Sequence, residues 1–268
     1  MIGHIDGDII VYAVAGVCEG NKWVYKGETF DSKLLLNQVL KDDGVDDSCI
    51  THYKEPEPWE KCRDSIISYL EEIIEHLDCD YKVYLSGKGN FRYEKATIQP
   101  YKGNRVSLSK PFHYDSARQL LVDVYNAEVS SGIEADDLIG LSHDPEKDCI
   151  VTLDKDLNCI PGLHYNWKNK QCYWVKEVDA DRSFYSQVLT GDSTDNILGL
   201  YGVGAKSAAV KQVSSQSSDR EMFDTVRKEY QSRFGSYWKQ FMSENCELLW
   251  ILQKREPSWR KYIEQEEN

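Results

Sequence analysis

Carboxylates at short, fixed spacings stand at four separated places in this chain: Asp6; Glu134, Asp136 and Asp137; Asp154 and Asp156; Asp192 and Asp195. Each group falls where the residue pattern ends a strand or begins a helix, so a compact α/β fold can bring them together. Eight carboxylates in one pocket repel strongly unless cations neutralise them. All-oxygen ligation suits hard divalent ions such as Mg²⁺ or Mn²⁺, which commonly act on phosphates. The pattern implies metal-dependent phosphoryl chemistry.

Singly, each motif also has an ordinary explanation. Glu134, Asp136 and Asp137 suit the first turn of a helix, where acids meet the helix dipole favourably. Three-residue spacing puts Glu134 and Asp137 on one helical face and sends Asp136 elsewhere. Asp154 and Asp156 suit a strand-to-turn pair, and Asp192 with Asp195 suits a helix cap. Gly202-Val203-Gly204-Ala205-Lys206 suits a tight turn, or a loop whose backbone N–H groups and Lys206 meet a phosphate. No G-x-x-x-x-G-K-[ST] sequence is present, which argues against a P-loop. The combination carries more than its parts, because two ions held by carboxylates from several elements can orient a water and stabilise a leaving oxygen.

The elements that must position these residues follow from periodicity. Ile2–Ala15 reads as a first strand interrupted near Asp6 and Asp8, and residues 18–57 as a polar, peripheral insertion. Apolar positions at helical spacing predict a helix over Trp59–Leu77 and another over Tyr114–Ala127. Tyr81–Leu85 and Cys149–Leu153 read as short strands. Residues 86–113 break every regular pattern with glycines, prolines and interleaved basic and aromatic residues, as functional or mobile loops do. Beyond about residue 181 the chain reads as helical, with helices near 218–232 and 236–254.

The 268 residues fit one large domain or two small ones. No apolar run is long enough to span a membrane, and the N-terminus lacks the features of a signal peptide. The eight cysteines form no C-x-x-C pair and read as reduced thiols of a cytoplasmic protein. The net charge of −13 argues against a polyanionic partner, but its distribution answers the objection. Residues 81–118 carry a net +6, leaving −19 on the rest. Local field decides where a polyanion lands.

In order and spacing the motifs resemble the 5′-nuclease family of flap endonucleases and 5′–3′ exonucleases, in particular the free-standing bacteriophage-type enzymes. The stretches that carry the resemblance are Ile5-Asp6-Gly7, Gly87-Lys88-Gly89-Asn90-Phe91-Arg92 and Tyr101-Lys102-Gly103-Asn104-Arg105. They continue through Ile133-Glu134-Ala135-Asp136-Asp137, Thr152-Leu153-Asp154-Lys155-Asp156 and Gly191-Asp192-Ser193-Thr194-Asp195-Asn196-Ile197, then Gly202 to Lys206. The match spans roughly residues 2–213, leaving 18–57 unmatched.

The resemblance implies an α/β fold with a mostly parallel central sheet, a PIN-like nuclease core over residues 1–180. It also implies a basic arch over 86–113 and, within a helical duplex-binding region over 181–268, a helix–three-turn–helix element. It implies two Mg²⁺ ions, with Mn²⁺ able to substitute, and a K⁺ at the helix–three-turn–helix. Asp6, Glu134, Asp136, Asp154 and Asp156 would serve the first metal; Asp137, Asp192 and Asp195 would serve the second. Lys102 and Arg105 would act on the scissile phosphate. Lys88, Arg92, Tyr101, Lys102, Arg105, Gly202, Gly204 and Lys206 would contact DNA bearing a 5′ end, flap or junction. Tyr101, Phe91 and Tyr93 would either stack on a frayed base or pack the arch on the body. The expected setting is DNA replication or repair in a bacterial or phage-infected cytoplasm, with no membrane. One position departs from the family: Ser86 stands where many relatives carry a metal-binding Asp, and Asp8 is the nearby acid that could compensate. The rival readings are a PIN-like ribonuclease and a junction-binding protein with a decayed site.

Overall fold

Period-two alternation sorts strand residues onto two faces, and that sorting decides where the acids emerge. In the computed structural model, which describes residues 1–107 and 109–266, β1 (Ile2–Asp6), β5 (Asp80–Leu85) and β7 (Cys149–Val151) pair in parallel at the centre of a sheet. Ile5, Val83, Leu85, Cys149 and Val151 share one core cluster with α1 (Gly7–Val17), α3 (Trp59–Leu77) and α5 (Tyr114–Tyr125). Tyr84 and Ile150 join the opposite cluster, beneath α6 (Ala135–Ser142). His4 and Asp6 lie on that second face too, bonded to Tyr84 and Thr152 respectively.

With β6 (Glu128–Val129), β8 (Gly162–Asn166) and β9 (Gln171–Val175), the sheet order is β6-β5-β1-β7-β8-β9. Only β8 and β9 pair antiparallel in this sheet, so the expected mostly parallel α/β architecture is the one observed. The chain runs outward from β1 through β5 to β6, then returns to place β7 on the other side of β1. Ligands in open α/β sheets bind at such a switch point, beyond the carboxyl ends of the strands. Asp6 ends β1, Ser86 follows β5, and Thr152 through Asp156 follow β7.

The first strand is shorter than the sequence suggests. It stops at Asp6, whose carboxylate accepts from Ile9 N at 3.1 Å and caps α1. Ile9, Ile10 and Val11 are therefore helical despite their strand propensity, because burial against α3 and α5 outweighs it. Gly7 makes the sharp turn possible: an added Cβ would lie 2.7 Å from the Tyr84 carbonyl oxygen. The insertion at 18–57 is ordered. Strands β2 (Glu19–Tyr25), β3 (Glu28–Phe30) and β4 (Thr51–Pro56) form an antiparallel sheet. It shares a small core with α2 (Lys33–Asp43), built on Tyr25, Leu36 and Leu40.

Helices α7 (Glu177–Thr190), α8 (Ala208–Ser215), α9 (Asp219–Phe234), α10 (Trp238–Leu249) and α11 (Ser258–Gln265) complete the fold. Their cluster includes Tyr84, Ile150 and Leu157, so the C-terminal helices and the sheet share one interior. The strands β8 and β9 and the helix α11 had no counterpart in the periodicity reading. Position 108 of the expected arch and positions 267–268 of the expected helical region lie outside the described residues.

A buried ion pair ties the arch to this interior and corrects two expected roles. Arg92, in α4 (Arg92–Lys95), is 3% exposed, and its guanidinium grips Asp137 through two bonds of 2.6 and 2.8 Å. The same guanidinium donates to the carbonyls of Leu248 and Trp250, each at 2.8 Å. Asp137 also accepts from Leu252 N and from Glu134 N. With its oxygens committed, Asp137 is a structural anchor rather than a metal ligand, and Arg92 is inaccessible to DNA. Removing one partner strands the other charge, which typically costs about 3–5 kcal/mol. Asp137→Ala should lose stability on that scale in denaturant melts; a change within error of zero would contradict the anchor.

Candidate active site

The other seven acids gather in one field at the carboxyl ends of β1 and β7. Asp6 is 2% exposed and accepts from Thr152 Oγ1 at 2.9 Å. Thr152 Oγ1 in turn accepts from Asp154 N, and Asp154 accepts from Asp156 N, each at 2.9 Å. This run of turns after β7 sets Asp154 near Asp6 and Asp156 near Asp154. Gln187 on α7 donates to Asp156 at 2.9 Å. Asp192 ends β10 (Gly191–Asp192), where it accepts from Thr194 N, and Asp195 sits in the loop that leads to β11 (Ile197–Leu198).

Helix α6 presents its acids differently from the sequence expectation. Glu134 is the N-cap, with an extended backbone, so ideal helical spacing does not extend to it. Asp137 turns inward to Arg92, and Asp136 is the residue that shares the field of Asp6, Asp154 and Glu134.

Mutual repulsion shows in the protonation behaviour. Burial, then Asp8 and Asp154, push Asp6 up from the ordinary carboxylate range to about 7. Burial, then Asp154, Asp192 and Asp195, push Asp156 to about 7 as well. Asp136 is raised well above its usual value by burial, Asp6 and Asp154. Asp154 is also raised, first by burial and then by Asp195 and Asp192. All-oxygen donors that hold protons this tightly fit hard divalent cations, which would displace those protons.

A basic strap covers the loop side. The Lys102 ammonium pairs with Glu134 and stands 3.6 Å from Asp195. Burial disfavours that ammonium, but Glu134 and Asp195 outweigh it and raise its pKa. Arg105 reaches Asp195 at 2.5 Å. The Tyr101 hydroxyl donates between Glu134, at 2.8 Å, and Asp195, at 2.6 Å. Tyr101 is 4% exposed, so it packs the strap and offers no face for stacking. Phe91 lies under the Arg92 guanidinium, and Tyr93 is the exposed aromatic of the three.

Asp8 does not replace the acid missing at Ser86. It lies in the first turn of α1, not on β1, and its oxygens hold Ser86 N at 2.8 Å and Arg118 at 2.5 Å. Ser86 Oγ accepts from Ala135 N at 2.9 Å, which helps to cap α6. Thr152, Gln187 and Arg118 are therefore part of the site's framework. Thr152 lies two residues before Asp154 in the sequence, whereas Gln187 and Arg118 lie within helices and carry no local signal. Gly202, Gly204 and Lys206 are exposed, ahead of α8, with Ser207 as its cap. Lys88 is exposed as well.

No family model matches the chain, and no curated protein does. Solved structures do. The T5 D15 protein co-crystallised with metal ions is 13% identical, with a TM-score of 0.49, covering 93% of this chain and 99% of that one. A substituted bacteriophage T5 flap endonuclease, in a pseudo-enzyme–product complex with DNA and metal ions, is 15% identical. Its TM-score is 0.49, over 92% and 98% of the two chains. A mutant T5 5′-exonuclease is 13% identical, with a TM-score of 0.47, over 93% and 99%.

The raised acids make a signed stability prediction. Below about pH 4 folded and unfolded chains both hold the Asp6 proton, so the group contributes nothing. Between about pH 4 and 7 only the folded chain holds it, so stability falls as pH rises; above about 7 the whole penalty is present. In chelator, Asp6→Asn should be more stable than the parent at about pH 8, by on the order of 1–3 kcal/mol. The gap should close towards about pH 4. Denaturant melts across that range measure it, and a gap that does not change with pH would refute the raised pKa that burial and the neighbouring acids give Asp6.

Proposed function

We propose that this protein is a metal-dependent nuclease that hydrolyses DNA phosphodiesters from a 5′ end, exonucleolytically and with some cleavage of flaps and junctions. The observation that carries the reading is the gathering of seven carboxylates from separate elements at the switch point of a parallel sheet, under a basic strap. Asp6, Glu134, Asp136, Asp154 and Asp156 hold the first of two Mg²⁺ ions, directly or through water, and Asp192 and Asp195 serve the second. Mn²⁺ can substitute. Asp137 has no part in this shell.

Bound ions at these carboxylates supply an activated water and neutralise the leaving oxygen. The chain's own groups do the positioning. Lys102 and Arg105 already face the acids through Glu134 and Asp195, and both side chains would turn to the oxygens of the scissile phosphate if those carboxylates held cations instead. A water oxygen bonds to phosphorus while the bond to the 3′ oxygen breaks. The products are a 5′-phosphate and a 3′-hydroxyl, which takes up the proton lost by the water. Lys88, Lys206 and the backbone at Gly202 and Gly204 are exposed and would meet duplex phosphates, and the same turn would hold K⁺. The setting of the reaction is the cytoplasm.

A labelled 5′-flap DNA, incubated with and without Mg²⁺, tests the proposal, with single-stranded RNA in parallel. Cleavage of the flap that requires metal supports it. Preferential cleavage of RNA would favour a ribonuclease, and binding without cleavage would indicate a decayed site. Asp154→Asn or Asp156→Asn should slow flap cleavage by about 10²–10³ or more while DNA binding persists; near-parental turnover in both would exclude this site. Lys102→Ala should lower turnover more than DNA affinity, and equal losses in single-turnover rate and Kd would argue for a purely binding role.

A further inference from the structure

We propose that His4, His143 and Asp148 form a separate, structural metal site for a borderline transition ion of the Zn²⁺ class. Each offers one ligand atom, and the three atoms all lie within 4.8 Å of one another. It is the group of at least three such residues that the described part of the chain brings to this spacing. Nitrogen donors beside one carboxylate suit Zn²⁺, whereas the all-oxygen acidic cleft suits Mg²⁺. The site lies at the other end of α6 from Glu134 and at the amino end of β7. It is therefore distinct from the acidic cleft and stands whether or not that cleft is a nuclease site.

Three further observations point to a ligand. Both imidazoles are 2% exposed, and each has one ring nitrogen committed to an outer partner. His143 Nε2 lies 3.1 Å from the Pro161 carbonyl, and His4 Nδ1 lies 2.8 Å from the Tyr84 hydroxyl. Ligating histidines show this arrangement, in which the outer hydrogen bond fixes ring orientation and tautomer. The remaining nitrogen of His143, Nδ1, is buried without a hydrogen-bond partner, although a buried polar atom is normally satisfied. Finally, Gly162 keeps the Pro161 carbonyl close: an added Cβ there would lie 2.3 Å from His143 Nε2.

Binding conserves protons. His143 donates from Nε2 to Pro161 and presents the Nδ1 lone pair. His4 moves its proton from Nε2, now 3.2 Å from Asp148, to Nδ1, where the Tyr84 oxygen accepts it. Asp148 is already held by Ile2 N and Asp144 N, and it forms the rim of the site, with its side chain 11% exposed. A water completes the shell on that side. Contraction to Zn–N bonds of about 2.0–2.1 Å would clamp β1, the end of α6 and the start of β7 together. The first two elements carry Asp6 and Asp136, and β7 leads into the turn that carries Asp154.

The test is Zn²⁺ binding by equilibrium dialysis in excess Mg²⁺, using the full chain with Asp154→Asn and Asp156→Asn so that the acidic cleft does not compete. One Zn²⁺ per chain is expected, with affinity at least about tenfold lower in His143→Gln and Asp148→Asn, and about 10–100-fold lower in Tyr84→Phe. Co²⁺ gives a second readout that needs no substitution at the histidines. A near-tetrahedral visible band in the same background supports the site, and its loss in Tyr84→Phe or Asp148→Asn places the ion there. The proposal is overturned if no Zn²⁺ is retained against Mg²⁺, if the substitutions leave Zn²⁺ affinity unchanged, or if Co²⁺ shows only a weak octahedral spectrum. Should His143→Gln fail to fold by circular dichroism, the Co²⁺ spectra and Tyr84→Phe decide alone.

Discussion

Repulsion among carboxylates crowded beyond the ends of β1 and β7 is the constraint that the surrounding structure answers. Two buried or half-buried acids, Asp6 and Asp156, are pushed to about 7, so the cleft favours either protons or cations. The fold limits the penalty by bonding three of these acids to fixed donors: Ile9 N and Thr152 for Asp6, Asp156 N for Asp154, and Gln187 for Asp156. Lys102 and Arg105 supply positive charge on the loop side. A site arranged this way is costly to form with its acids ionised and unneutralised, and a hard cation bound there would offset that cost.

The same acids divide by how they are held, and the division decides which residues can be ligands. Asp137 follows Glu134 by three residues yet faces the interior, where Arg92 supplies a bidentate partner and two carbonyls complete the guanidinium's bonds. A charge buried with every bond satisfied anchors structure. Asp136, its neighbour, lacks such a partner and takes the field of the cleft instead. One residue of difference along a helix thus separates a fixed strut from a candidate ligand.

Much of this architecture was legible in the residues, because its strongest signals are local. Trp59–Leu77 shows helical periodicity across its whole length, and the strand Asp80–Leu85 follows it as a short apolar run. The Asp154 and Asp156 pair sits after an apolar strand in both sequence and structure. Other features depend on distant partners and left no local trace. Ile9 to Val11 favour a strand by type but are helical because their burial lies against α3 and α5. Arg92 reads as a basic loop residue beside Lys88 and Lys95; only its contacts with Asp137, Leu248 and Trp250, far along the chain, make it a core residue. Asp8 falls two residues after Asp6 and would share its face only if the strand continued. The turn at Gly7 removes that relation.

The strap and the loop acids form one mechanical unit, which bears on how substrate enters. Lys102 N donates to the Asp195 carbonyl at 2.8 Å, and Asn104 to the Ser193 carbonyl at 2.7 Å. Arg105 donates to the Thr194 carbonyl, and Asn196 donates back to the Pro100 carbonyl at 2.8 Å. Residues 100–105 are therefore fastened along the whole 193–196 loop. By contrast Asp6 and Asp154 belong to the central strands or the turns that leave them, and Asp136 lies in the first turn of α6. A movement that lifts the strap strains the position of Asp195 before it disturbs Asp6, Asp136 or Asp154. The acids on the sheet then define a fixed half of the cleft, and the strap with its loop defines an adjustable half. Charge placement follows the same division, since Lys102 and Arg105 ride with the adjustable half, and Lys102 meets the fixed half through Glu134.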